Sequence, residues 1–305
     1  MPSFSERAVE SGLTPNLAKG MYGYRDQYCE VLYRHITTFP SLPVNVQHPT
    51  DNHILPMLTV YTKGPDDTDY KYCGYVSDSY QFSGNETLIA SARESIRNVG
   101  MPVLVENNIM NGDYTVMRHE MIIESPVNVP QAGDFLPVII INNGYNGNRA
   151  KCFSFGIATY ENSRYLTFSF KLGQIRQVHL ASADTNVHAF ATTYVQAFSE
   201  NITDLITNSF NNQLTLEDMF ATLDLVEKIG KNKREEVANL LKEINPQVEG
   251  EEPRMPTSWQ LFLAIVRYSS FEPNMNKKRL LESAAESVLI IPPRMMEVLE
   301  RLERN

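Results

Sequence analysis

Residues 135–170 read FLPVIIINNGYNGNRAKCFSFGIATYENSRYLTFSF, and how they are read decides the fold. Runs of β-branched and aromatic residues alternate with turn residues, which predicts strands over Phe135–Ile141, Lys151–Thr159 and Arg164–Phe170. Gly144 and Gly147 allow the first reversal, and Glu161-Asn162 supplies residues tolerant of positive φ for the second. Strands joined by turns this short pair antiparallel, because a parallel neighbour needs a crossover of a dozen residues or more.

Outward from this stretch the pattern continues toward the N-terminus. Strands are expected at Leu55–Thr62, Tyr70–Val76, Pro102–Ile109 and Tyr114–Ile123, the last two forming a hairpin about Asn111-Gly112. One helix interrupts them over Glu86–Val99, where Asn85 can cap and Leu88, Ile89, Ala92, Ile96 and Val99 make one apolar stripe ending at Gly100. Further back, Ser5–Glu10 and Tyr22–Thr37 read as helical, the second because Tyr24, Tyr28, Val31, Leu32 and Ile36 recur at spacings of three and four. Pro40, Pro43 and Pro49 then mark an exposed crossing.

Past residue 184 the pattern is helical. Val187–Phe210, Leu216–Ile229, Glu236–Ile244, Thr257–Tyr268, Lys278–Ser287 and Pro292–Leu302 carry apolar residues at helical spacing, with an acidic, proline-bearing loop over Pro246–Pro256. The expected fold is α+β: a mainly antiparallel mixed sheet with flanking helices and a helical C-terminal half. Its organisation reads as an N-terminal helical segment (1–50), an α+β sheet domain (51–184) and a helical region packing on the sheet (185–305).

The chain has 305 residues, 42% of them hydrophobic, enough for a sizeable core. No apolar run approaches the ~20 residues that cross a bilayer, and no secretory leader opens the chain, so a cytoplasmic protein with no membrane partner is expected. Cys29, Cys73 and Cys152 are odd in number and far apart, and they read as small buried hydrophobes with neither a disulfide framework nor a zinc ribbon. The formal charge of −9 argues against a surface that coats nucleic acid everywhere, while a local basic groove on an acidic body stays open.

The turn NNGYNGNRAK is not a phosphate loop. It lacks Gly-Lys-Ser/Thr, its glycines are three apart, and a strand rather than a helix follows. It reads first as a hairpin loop, and second as a polar fingertip in which Asn142, Asn143, Arg149 and Lys151 contact phosphates. A second basic cluster, Lys171, Arg176 and His179, precedes a helix start whose cap is Asp184 or Thr185, a place suited to anions. His179 and His188 are nine residues apart, unsuited to sharing a metal on one helical face, and Asp66, Asp67 and Asp69 lack the glycine and glutamate of a calcium loop. No metal and no cofactor is expected. No nucleophile elbow or assignable triad argues for an enzyme.

Aromatic residues crowd the β region, as in YKYCGYVSDSYQF, residues 70–82, and FSFGIATYENSRYLTFSF, residues 153–170. Most belong to a core. If one sheet face is open, its rings together with Arg149, Lys151, Arg164 and Lys171 make a stacking platform for single-stranded bases. The basic run KIGKNKREE, holding Lys228, Lys231, Lys233 and Arg234, reads as a solvated helix connection.

Several segments together resemble a phage and plasmid family of unknown function, of the kind met in phage DNA-metabolism modules. GYVSDSYQFSGNETLIASARES resembles its S-x-x-Y motif and N-E helix start, and INNGYNGNRAKCFSFGI its central N-S-x-D-G-S turn. PTSWQLFLAIVRYSSF is similar to its G-T-x-W helix through Thr257, Trp259, Ala264 and Tyr268. RQVHLAS is similar to its R-x-x-H-T segment through Arg176 and His179. Asn143 stands where the family has serine and Asn146 where it has aspartate, so no carboxylate is expected to act at the turn. The resemblance implies a phage or mobile-element protein of the host-cell cytoplasm that assists DNA replication or recombination.

The expected function is therefore non-enzymatic binding of single-stranded DNA or of phage replication proteins, with a homo-oligomer left open. The competing expectation is a host-takeover or anti-defence protein whose acidic surface inhibits a host enzyme.

Overall fold

The computed structural model of the chain describes residues 9, 12–16, 21–35, 57–77, 80–130, 132–147, 151–177, 187–247 and 254–304, with backbone alone at 175–177 and 187–190. Within them lie two antiparallel sheets and seven helices, an α+β fold with its helices concentrated in the C-terminal half. The first sheet is a meander in which each strand pairs with the next: β1 (Thr14–Asn16), β2 (Met21–Arg25), β3 (Glu30–His35), β4 (Met57–Lys63) and β5 (Lys71–Ser77). The second contains β6 (Val103–Met110), β7 (Val116–Ile123), β8 (Val127–Val129), β9 (Gly133–Gly144), β10 (Lys151–Glu161), β11 (Arg164–Ser169) and β12 (Ile175–Gln177). Its order is β11-β10-β9-β7-β6, with β12 beside β10 and β8 beside β9. The helices are α1 (Asn85–Asn98), α2 (Val187–Asn211), α3 (Leu216–Ile229), α4 (Lys233–Ile244), α5 (Ser258–Ser269), α6 (Met275–Glu286) and α7 (Pro293–Arg304).

In place of the helix expected over Tyr22–Thr37, the described residues as far as His35 form the β2–β3 hairpin; Ile36 and Thr37 lie outside the described residues. Asp26 decides it locally, since its Oδ1 accepts the N–H groups of Tyr28 and Cys29, both at 2.8 Å. This side-chain turn competes with a helical ladder. The residues beyond it bury every second side chain, Val31 and Tyr33, as a strand does. Of the Ser5–Glu10 helix only Val9 is described, and Pro40, Pro43 and Pro49 lie outside the described residues. Asn85 does not cap α1 but is its first residue, with Gly84 at the cap. Lys233 is not solvated: it is buried and pairs with Glu272 and Tyr268. Cys29 and Cys152 are buried and Cys73 is half-buried; all three are free thiols.

The second sheet curls. Thr167 on β11 donates to Glu120 Oε1 on β7 at 2.9 Å, although β10 and β9 lie between them in the sheet. Three strand spacings in a flat sheet amount to about 14 Å. The concave face carries the apolar Ile122, Leu136, Val138, Ile140 and Ala158 together with the polar Arg118, Glu120 and Thr167. Helix α6 meets the charged residues: Glu282 takes Arg118 in two bonds of 3.0 and 2.7 Å, Arg118 also reaches Glu120 at 2.7 Å, and Lys278 lies 3.9 Å from Glu120. Burial alone would raise the Glu120 carboxyl, yet Arg118 and Lys278 hold it below its ordinary range. All four side chains are buried.

The opposite, outer face of the sheet holds the main core, with α1, α2 and α5 laid on it. Ring pairs fix their seating: Phe155 stacks on Tyr194 at 4.0 Å, Phe168 meets Phe262 edge-on at 4.8 Å, and Phe135 meets Trp259 at 5.5 Å. Gly156 on β10 is required by closeness, because a Cβ there would stand 1.8 Å from the Phe168 carbonyl oxygen.

Candidate nucleic-acid interface

The described part of the turn, read first as a hairpin loop and second as a fingertip, joins the two sheets. Asn143 is buried, and its Nδ2 donates to the Ser83 carbonyl and to Asn85 Oδ1, both at 2.9 Å. The Tyr145 hydroxyl accepts the Asn85 N–H at 3.1 Å, satisfying one of the orphan donors that open α1. From the first sheet and its exit, Tyr33 donates to the Tyr145 carbonyl at 3.0 Å and Tyr80 to the Gly144 carbonyl at 2.9 Å.

The other sequence candidates are distributed as follows. Asn142 is half-buried and Lys151 is 8% exposed. Lys171 is exposed, at the turn after β11. The backbone places Asn142, Cys152 and Arg176 in one row across β9, β10 and β12, while Arg149 and His179 lie outside the described residues. Both faces of β9 and β10 are covered along most of their length, so the rings of Phe153 and Phe155 serve the core rather than an open platform.

An open aromatic face exists on the first sheet. Its inner face buries Tyr22, Val31, Tyr33, Leu58 and Val60. Successive residues point to opposite sides, so Glu30, Leu32 and Arg34 on β3 and Thr59, Tyr61 and Lys63 on β4 face outward. Tyr72 and Tyr75, three residues apart, would ordinarily face opposite ways. A bulge corrects this: Tyr61 pairs with Tyr72 and Thr59 with Tyr75, leaving Cys73 as the extra residue beside Gly74 at φ +132°, a conformation suited to glycine. Tyr72 then meets Tyr61 edge-on at 5.8 Å and Tyr75 at 5.4 Å. Tyr72 is 52% and Tyr75 45% exposed, so the row of rings faces solvent. On β2, separated from β4 by β3, a Cβ added to Gly23 would meet no atom within 4 Å, which leaves space above that part of the sheet.

Cations flank this row on both sides. Arg25, Glu30 and Lys63 occupy the next register row toward one end, and exposed Arg34 shares the row of Thr59 and Tyr75 toward the other. Tyr70, 42% exposed, donates its hydroxyl to Glu30 at 2.8 Å. Burial and the Tyr75 hydrogen bond push the Tyr72 hydroxyl up to about 12, and burial and Glu30 do the same for Tyr70, so both remain neutral donors at physiological pH. The sequence signal for this face was YKYCGYVS, whose tyrosines could not be placed together without the bulge.

The remaining polar clusters are braces. His119 engages Glu106 through Nε2 at 2.9 Å and Asn108 through Nδ1 at 3.3 Å, and Glu106 is also held by Arg93 in two bonds. With both ring nitrogens occupied, His119 has no lone pair to offer a substrate. Among the described residues no group of three or more His, Cys, Asp or Glu could hold a metal, and no helix is long and apolar enough to cross a membrane. No family model, curated protein or solved structure matches the chain.

Proposed function

We propose that this protein binds single-stranded DNA on the outward face of its first sheet, as a non-enzymatic accessory of DNA replication or recombination. The observation that carries the reading is the contiguous row Tyr61–Tyr72–Tyr75, in which Tyr72 and Tyr75 are exposed and Tyr61 is half-buried, flanked by Arg25, Lys63 and Arg34. Every base has a π-face, so tyrosines on an open sheet accept successive bases without reading sequence. Sheets of this kind stack about two or three bases, matching three rings on two adjacent strands. The acidic body repels DNA elsewhere, which confines binding to this patch and makes it sensitive to salt.

The test is fluorescence anisotropy with labelled single-stranded and duplex oligonucleotides at about 50 and about 200 mM salt. The Tyr72→Ala/Tyr75→Ala variant is expected to bind single strands at least roughly tenfold more weakly than the parent, since stacking contributes about 1–3 kcal/mol per base. Duplex is expected to bind less well than single strands, because its bases cannot reach the rings. Binding unchanged by the double substitution would sink the reading.

A further inference from the structure

The row beside the tyrosines contains an arrangement unusual for a surface ion pair. Glu30 Oε1 stands 3.3 Å from Arg25 Nε and 3.4 Å from Lys63 Nζ, while Oε2 accepts the Tyr70 hydroxyl at 2.8 Å. Lys63 Nζ also lies 5.3 Å from the centroid of the Tyr70 ring, which fixes the ammonium and the phenol relative to one another. Three donors, from β2, β4 and the residue just before β5, thus converge on two oxygens of one singly charged group. The hydrogen bond from Tyr70, then that from Lys63, hold the carboxyl below its ordinary range.

A phosphodiester presents the same features: one negative charge shared by two terminal oxygens. Two cations against one carboxylate leave a single positive charge at the rim of the aromatic row, where the backbone of a stacked strand must run. We propose that Arg25, Lys63 and the Tyr70 hydroxyl form a seat for one phosphate of that strand, and that Glu30 occupies the seat as an internal anion when no strand is present. The inference rests on the tyrosine face being the strand-binding surface. The incoming phosphate takes over Arg25 and Lys63, and the Glu30 side chain swings aside into solvent. The Arg25 side chain, 79% exposed, has room to follow the phosphate. Glu30 therefore tunes affinity downward while keeping the donors assembled.

Glu30→Gln keeps an acceptor for Tyr70 and removes the competing charge. A unit charge about 6 Å from a phosphate near a wet surface corresponds to roughly three- to tenfold in affinity. The experiment is anisotropy titration of a labelled oligothymidylate with the full chain at several salt concentrations. It compares the parent, Glu30→Gln, Arg25→Ala/Lys63→Ala, the triple combination, and Tyr72→Ala/Tyr75→Ala, with circular dichroism to confirm folding. Glu30→Gln is expected to bind roughly three- to tenfold tighter, with a log–log salt slope steeper by up to about 0.7. Arg25→Ala/Lys63→Ala is expected to weaken binding and flatten the slope, and in that background Glu30→Gln is expected to change nothing.

Glu30→Gln within twofold of the parent, or equally tightening with the two cations gone, would overturn the seat; the platform survives that result if the tyrosine variant still binds weakly. Conversely, loss-free removal of the tyrosines with Glu30→Gln still tightening would keep the seat and discard the stacking. No binding by any of the five proteins would overturn both.

Discussion

Replacing Arg118 with methionine keeps most of the side-chain volume and removes the guanidinium that the charged cluster of the curled sheet is built around. Glu282 then loses both of its bonds, at 3.0 and 2.7 Å, and Glu120 loses the one at 2.7 Å while keeping Lys278 at 3.9 Å and Thr167 at 2.9 Å. The side chains of Glu282 and Glu120 are 2% and 3% exposed, so water cannot replace the lost partner. Breaking a buried pair by removing one member costs about 3–5 kcal/mol, because the other charge stays behind. Here two carboxylates stay behind and one lysine remains, which places the expected loss near the middle, about 4 kcal/mol. Urea unfolding followed by circular dichroism should show the midpoint falling by about 1–2 M. The variant should recover part of its stability as the pH is lowered, because Glu120 has lost the main charge that holds its carboxyl below its ordinary range. Adding Glu282→Leu should restore at least about half of the loss, since an apolar pair of similar volume needs no partner. A loss below about 1 kcal/mol for Arg118→Met would refute the reasoning, for that is how a solvated surface pair behaves.

Two further predictions concern the same region. Burial pushes the Glu286 carboxyl up to about 7 although both oxygens accept backbone N–H groups, of Lys171 at 2.8 Å and Leu172 at 3.2 Å. The native state thus holds this proton more tightly than the unfolded chain, a contribution fully present below about pH 4.5 and lost as pH rises through 7. Glu286→Gln should accordingly flatten the pH dependence of the unfolding midpoint between those values, by up to about 3 kcal/mol across the window; a parallel curve for parent and variant would show that the carboxyl is solvated. Gly156→Ala drives a methyl to 1.8 Å from the Phe168 carbonyl, so β10 and β11 must part. Its melting temperature should drop by several degrees or more, and an unchanged value would contradict the close approach of these strands.

The hairpins and the long helices were legible because period and turn chemistry agree there: Asn162 and Ser163 adopt positive φ at the β10–β11 turn, and α2 runs 25 residues with its apolar stripe intact. The β2–β3 hairpin was not, because Tyr24, Tyr28, Val31 and Leu32 satisfy a helical spacing while Tyr22, Val31 and Tyr33 satisfy a strand, and only the side chain of Asp26 breaks the tie. Arg118 and Glu120 alternate with apolar neighbours in a way that reads as a solvated sheet face. Curling, a property of seven strands together, folds that face inward. The tyrosine face was half visible: its tyrosine-rich segment could be read in the chain, but the expected open face was placed beside Arg149, Lys151, Arg164 and Lys171, and which sheet stays open depends on where the helices lie. Helices α1, α2 and α5 cover the outer face of the second sheet, whereas Tyr72 and Tyr75 on the outward side of the first stay exposed.

The bulge at Cys73-Gly74 has a consequence for how molecules of this protein meet one another. Strand β5 is the outermost of its sheet among the described residues, and a straight outer strand offers an unbroken line of peptide groups on which a second molecule can extend the sheet. One surplus residue puts that line out of step halfway along and twists it. A face of exposed tyrosines beside a regular outer strand would invite fibre growth. The irregularity that gathers the rings also blunts the strand, so edge protection and ring placement depend on the same two residues and a substitution at Gly74 would disturb both.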